Sequence, residues 1–334
     1  MKSLASLTFF CHFFVLSAAM ALDIERPDIQ QFIAETYELT QLSREQLSEL
    51  LGQAEIQPRI IELMTKPAEK TKPWHEYREI FLTSERIQGG SAFMRTHAAE
   101  LAAVEQKTGV PASIITAIIG VETYYGRLTG GFRVLDALAT LGFDYPPRGK
   151  FFRRELAEFL QLVEEQDIDP LTAKGSYAGA MGAAQFIPSS YRAYARSGDN
   201  DQKIDLWQSW PDVFASIANY FVAHGWQRDR MIMVRAELTA GADLKLANER
   251  PNLDLSHREL RQAGWQARLD LADDTQIVPL AYQQPDSREY WLGLNNFYTI
   301  TRYNRSRLYA RAVIELAQAV EEDFRTQSKL ATSQ

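Results

Sequence analysis

Pro111-Ala-Ser-Ile-Ile-Thr-Ala-Ile-Ile-Gly-Val-Glu-Thr-Tyr-Tyr-Gly126 is the stretch from which the rest of the chain can be read. Gly109-Val110-Pro111 closes one helical run and opens the next, since proline suits a first helical position. Ile115, Ile118 and Ile119 form one stripe at helical spacing, and Glu122 takes the next place on it. A carboxylate there gains nothing from the helix dipole, which favours cations at a C-terminal end. Continuing an apolar stripe, it is partly desolvated, and desolvation raises a carboxyl pKa. A carboxyl kept protonated near neutrality is what general-acid chemistry requires. The same pattern also describes a helix that simply ends in water, so the stretch alone leaves both readings open.

Some fifty residues on, Gly175-Ser-Tyr-Ala-Gly-Ala-Met-Gly-Ala-Ala-Gln-Phe-Ile-Pro-Ser-Ser-Tyr191 is rich in Gly and Ala, interrupted by Ser176, Gln185 and Ser189-Ser190. Small residues let backbone approach a flat ligand, and the polar ones offer hydrogen bonds. Tight helix packing is the other reading of such a run. Around these two stretches, residues 28–65 and 79–108 carry helical apolar spacing, with a linker at Lys66–Pro73. From Pro111 to about His224 the pattern is mostly helical, and Ser306–Phe324 is an amphipathic helix. Between them, Met231–Arg235, Gln276–Leu280 and Tyr298–Thr301 carry strand-like content. The class is therefore mainly α with a small β-containing part (α+β).

The chain has 334 residues, 46% hydrophobic and 24% charged, enough for a large core and too much for disorder or a disulfide mini-fold. A formal charge of −7 gives no global basic field, so no nucleic-acid partner is expected. Lys2, the apolar run Leu4–Leu16 and the small residues ending in Ala19-Met20-Ala21 read as a signal peptide cleaved near Ala21. The run is too short for a confident membrane span. Cys11, the one cysteine, follows Thr8-Phe9-Phe10 inside that run, where a lipid-attachment motif needs small residues. A soluble periplasmic protein without stable membrane insertion is the expectation; no protein partner is legible.

Gly120-Val-Glu-Thr-Tyr-Tyr-Gly126, Asp136-Ala-Leu-Ala-Thr-Leu141, the Gly175–Tyr191 stretch, Ala218-Asn-Tyr-Phe-Val-Ala-His-Gly-Trp226 and Thr301-Arg-Tyr-Asn304 together resemble the membrane-bound lytic murein transglycosylase B family, glycoside hydrolase family 103. The resemblance implies a lysozyme-like catalytic core with an additional helical domain and a small β domain. On this chain that divides into a leader (1–21), a helical region (22–85), the core (86–230), a β-containing region (231–300) and a segment returning to the groove before a terminal helix (301–334).

It further implies a peptidoglycan lytic transglycosylase, a lyase that cleaves the β-1,4 bond between N-acetylmuramic acid and N-acetylglucosamine and leaves 1,6-anhydromuramoyl ends. Glu122 matches the family's catalytic acid, which then acts as base. Ser176 matches a residue that orients the acid or the substrate's N-acetyl group. Gln185, Tyr220, Tyr303, Asn304 and Tyr309 match sugar-binding positions. Arg148 matches one of a basic pair that meets the peptide stem, although Pro147 takes the other place and Phe151 replaces a tyrosine. A hydrolytic muramidase on the same fold, or a silent peptidoglycan-binding scaffold, are the alternative readings. Ordinary glycosidases use two carboxylates, and here Asp136 and Asp144 are the acids that folding would have to bring to Glu122. Asp136 suits a structural bond at a helix start better.

Where relatives carry an EF-hand-like loop, this chain has residues 197–208, with Asp199, Asp201 and Asp205 as carboxylates and the Lys203 carbonyl between them. Ser197 opens the loop in place of Asp, Gln202 replaces the turn glycine, and Gln208 replaces the last acid. Weak structural calcium and a solvated Asp/Asn turn are both compatible with this. Catalysis is expected to need no cofactor. The histidines lack metal-ligand spacing.

Overall fold

In the computed structural model, which describes residues 20–66, 72–199, 201, 203–247 and 251–332, the helix read first from the sequence spans Ala112–Thr123 with Pro111 as its N-cap. Nine of its twelve residues are buried, so it is covered all round rather than along one stripe. Helices Ser84–Thr96, Ala98–Thr108, Trp210–Ala223 and Arg307–Thr332 pack around it. Ile115, Ile118, Phe214, Ile217, Val313 and Leu316 are fully buried at this centre.

A second helical layer is built on Val134–Phe143, buried along its whole length, and Gly149–Gln166 lies against it. The helices Pro27–Tyr37, Arg44–Gly52 and Pro58–Thr65 form the N-terminal part. Ser43 and Gln46 close a reciprocal capping box at the second of these. This part is fastened to the second layer by polar bonds as well as packing. Arg26 bridges Asp28 and Asp144, and the buried Asp136 carboxylate accepts from the Glu55 N–H at 2.9 Å and Arg133 Nε at 2.7 Å. Asp136 thus has the structural role its helix-start position suggested.

The β part is a five-stranded antiparallel sheet in the order Leu255–Ser256, Gln276–Gln283, Arg288–Gly293, Met233–Leu238, Trp265–Ala267. Leu280 pairs with Trp291 and Val234 with Leu292. Its outer end has its own small core, formed by Val234, Leu260, Trp265, Ile277 and Leu292. Two of the three strand-like segments fall in this sheet. The third does not: Tyr298–Thr301 lies within the helix Asn295–Tyr303. Its β-branched residues favour a strand, but Phe297, Ile300 and Thr301 are buried at helical spacing, and that packing overrides propensity. The leader assigned to residues 1–21 lies outside the described residues except for Met20 and Ala21, which pair with Glu55–Ile56. Residues 67–71 of the linker lie outside them too. Among the described residues, no helix is long and apolar enough to cross a membrane.

Candidate active site

Glu122 is the penultimate residue of Ala112–Thr123 and is partly buried. The backbone leaves the helix through two left-handed residues, Tyr124 and Tyr125 (φ 51° and 61°). This strained exit turns Tyr125 back against its own helix, where its hydroxyl donates to the Arg86 carbonyl at 2.7 Å. Gly120 is required by that approach, because a Cβ there would lie 2.8 Å from the Tyr125 ring. Thr123 fixes the other side. Its buried hydroxyl lies 3.1 Å from the Ala183 carbonyl, to which it donates, and accepts the Gly126 N–H. The carboxyl-bearing helix end is therefore tied to the Gly/Ala stretch.

That stretch is a chain of turns rather than a packed helix up to Pro188–Tyr194, with isolated bridges from Met181 to Gly175 and Phe186. Gly182 sits at φ +64°, with the Leu206 carbonyl where a Cβ would be. Ser176 Oγ accepts from the N–H groups of Ala178 (3.3 Å) and Ala180 (3.1 Å), so it orders the turn. Gln185, itself left-handed (φ 51°), donates its side-chain amide to the carbonyls of Thr129 and Gly182.

The tyrosines arrive from the far end of the chain. Tyr309, on the first turn of Arg307–Thr332, donates to Glu122 Oε1 at 2.6 Å. Tyr303 donates to the Ala184 carbonyl at 2.6 Å, and its ring meets Tyr220 edge-on. Tyr220 donates to the Arg302 carbonyl and stacks on His224, so that histidine packs and caps. Burial, reinforced by the negative charge of Glu122, pushes the Tyr303 and Tyr309 phenols well above the usual range. Burial pushes Tyr220 up to about 12. All three stay neutral donors at neutral pH.

Glu122, Gln185, Tyr220, Tyr303 and Tyr309 are thus joined through one set of contacts, with Ser176 in the same turn region. Asn304 is exposed on the extended link between two helices. Arg148 is also exposed, on the turn before Gly149–Gln166, with its guanidinium 4.3 Å from the Phe151 ring centre. Its contacts connect it to Phe151 and Phe152. Asp136 and Asp144 are both committed to arginines elsewhere. Two residues of the site carry no mark in the sequence. Thr123 is one. Tyr77, buried on Trp74–Phe81, lies close enough to Tyr309 to help raise its phenol, yet its spacing from Trp74 and Phe81 is that of any core stripe.

In the Asp loop the carboxylates serve the backbone. Asp199 accepts from Ser197 Oγ and the Asp201 N–H, Asp201 from the Lys203 N–H, and Asp205 from the N–H groups of Trp207 and Gln208. Asp212, unmarked in the sequence, closes the loop by accepting from Gly198 and Asp205. Residues 200 and 202 lie outside the described residues. Among the described residues, no three His, Cys, Asp or Glu side chains converge on a metal position.

Comparison with known proteins places the chain in a family. Residues 25–318 match the family described as the transglycosylase SLT domain. The chain is 42% identical over 303 residues to membrane-bound lytic murein transglycosylase B of Escherichia coli K12, covering 88% of this chain and 82% of that one. The soluble lytic transglycosylase SltB1 of Pseudomonas aeruginosa superposes with a TM-score of 0.84 at 44% identity, over 89% of this chain and 99% of the other. The Escherichia coli lytic transglycosylase Slt35 in complex with calcium superposes with a TM-score of 0.82 at 40% identity, over 92% and 96%.

Proposed function

The chain belongs to the transglycosylase SLT domain family, and from that premise we propose that it is a peptidoglycan lytic transglycosylase with Glu122 as its one acid and base. The observation that carries this reading is the Glu122 carboxyl bonded to a neutral tyrosine, while the acids Asp136 and Asp144 are held by arginines. A hydrolytic glycosidase needs a second carboxylate as nucleophile or to activate water. An attack from within the substrate removes that need.

The mechanism follows from one proton cycling through one group. Protonated Glu122 gives its proton to the glycosidic oxygen as the C1–O bond breaks, and N-acetylglucosamine leaves with that proton. The resulting carboxylate removes the proton from the muramoyl C6 hydroxyl as that oxygen bonds to C1. Glu122 is thereby reprotonated, no water is consumed, and the product is a 1,6-anhydro ring. Tyr309 steadies the carboxylate between the two steps. Gln185, Tyr220, Tyr303 and Asn304 supply aromatic faces and polar groups to the sugars, Ser176 orders the turn through Ala178 and Ala180, and exposed Arg148 is free to meet a stem-peptide carboxylate.

The partner is then the murein glycan strand, and the site of action is the periplasm after cleavage near Ala21. Residues 86–230 form the catalytic core in this reading. A calcium ion taken up at Asp199, Asp201, Lys203 and Asp205 would act on the loop's fold, and no step of the chemistry uses it.

Mass analysis of products from purified peptidoglycan tests the proposal. Muropeptides one water lighter than hydrolysis products are expected, and Glu122→Gln should lower their rate by about 10²–10⁴-fold. Reducing muramoyl ends instead would make the enzyme a muramidase. Retained binding to murein without any product would make it a scaffold.

A further inference from the structure

The catalytic account leaves unused a cavity of about 440 Å³ between the helices Pro27–Tyr37 and Gly149–Gln166. That volume falls in the usual range of small-ligand sites, about 300–1,000 Å³. One wall carries Lys150, Arg153 and Arg154, and the other carries Asp28 and Glu35. Among the described residues no salt bridge joins the two walls, although the Arg153 charge reaches Asp28 and helps to lower its carboxyl. Asp28 is held by Arg26 at 3.0 Å, and Glu35 accepts from Gln31. Arg153 donates to the Gly142 carbonyl at 2.8 Å. Phe32 lies at the base, and Leu39, 58% exposed, stands at the rim.

The basic wall is only partly offset by acids, the charge of Arg153 reaching Asp28 and that of Arg154 reaching the buried Glu155. Gly149–Gln166 has no acidic residue in its first turn, where carboxylates are favoured, and no basic residue in its last. The three cations repel one another and the positive end of the helix, and an anion bound among them relieves both. A ligand that satisfies the whole cavity carries carboxylate at one end, ammonium at the other and a small apolar body between. That is a short dipolar peptide, and peptidoglycan stems that include a diamino acid have this chemistry.

We propose that this cavity is an accessory site for a murein stem peptide, in which Lys150, Arg153 and Arg154 take its carboxylates and Glu35 its free amine. The proposal rests on the reading of the protein as a murein enzyme.

The test is calorimetric titration of the full protein with the sugar-free tripeptide L-Ala-γ-D-Glu-meso-diaminopimelate. Saturable binding is expected, weakened about tenfold or more in the exposed double variant Lys150→Ala/Arg154→Ala. Glu35→Gln should weaken the tripeptide but leave its side-chain N-acetylated form unchanged. Absence of saturable binding, or equal binding by all variants, overturns the proposal. So does inorganic phosphate binding as tightly as the tripeptide, which would reveal only an anion patch. A parallel assay on peptide-free glycan strands keeps the two readings apart. The variants should cut these at the wild-type rate and intact sacculi more slowly. Failure of the wild type on bare strands would count against the enzymatic reading, and the tripeptide titration would still judge the cavity.

Discussion

The phenol that donates to Glu122 at 2.6 Å favours the carboxylate form, because a hydrogen bond to an anion stabilises it. In the proposed mechanism, proton donation to the leaving sugar needs the opposite form, so Tyr309 would work against the first step and for the second. Removing its hydroxyl raises the carboxyl pKa. In Tyr309→Phe the alkaline limb of the kcat/KM profile should move to higher pH, because the carboxylate loses a hydrogen bond that stabilises it. The rate itself should fall, since the base step loses its support. A pH–rate series on both proteins checks this, and an unmoved limb would remove Tyr309 from any role acting through Glu122.

At the scale of elements, the end of Ala112–Thr123 holds its shape because Tyr125 folds back onto Gly120. Gly120→Ala puts a methyl group 2.8 Å from that ring. Overpacking of this kind costs about 1–3 kcal/mol, so thermal unfolding should show a Tm lower by several degrees, with activity reduced further as Glu122 shifts. The same element shows what was legible in the chain. Glu122 stood out because a charge interrupts an apolar stripe, and the blocks around it marked the family. Tyr77 did not, since an aromatic residue at helical spacing looks the same in a core and in a site. Strands Met233–Leu238 and Gln276–Gln283 announced themselves by branched residues. Arg288–Gly293 holds strand-favouring Tyr290 and Trp291 among an arginine, a glutamate and a glycine that blur the pattern, and pairing on both sides completes it. Asp212 escaped notice for a related reason: it closes a loop from outside the loop's own sequence pattern.

For the whole molecule, the buried phenols set an alkaline limit. Burial holds Tyr220, Tyr282, Tyr303 and Tyr309 above the ordinary phenol range. A folded pKa above the unfolded one contributes stability that is complete below pH about 10 and is lost as pH climbs from there towards the folded values. Denaturant unfolding at a series of pH values should show stability falling above pH about 10, with the phenolate absorbance appearing together with unfolding. The long reach between Glu122 and Tyr309, 187 residues apart, has a consequence in time. A chain still emerging from the ribosome or a translocation pore has its acid long before it has the tyrosines that finish the site. The bond between Tyr309 and Glu122 therefore forms only once the last helix has docked.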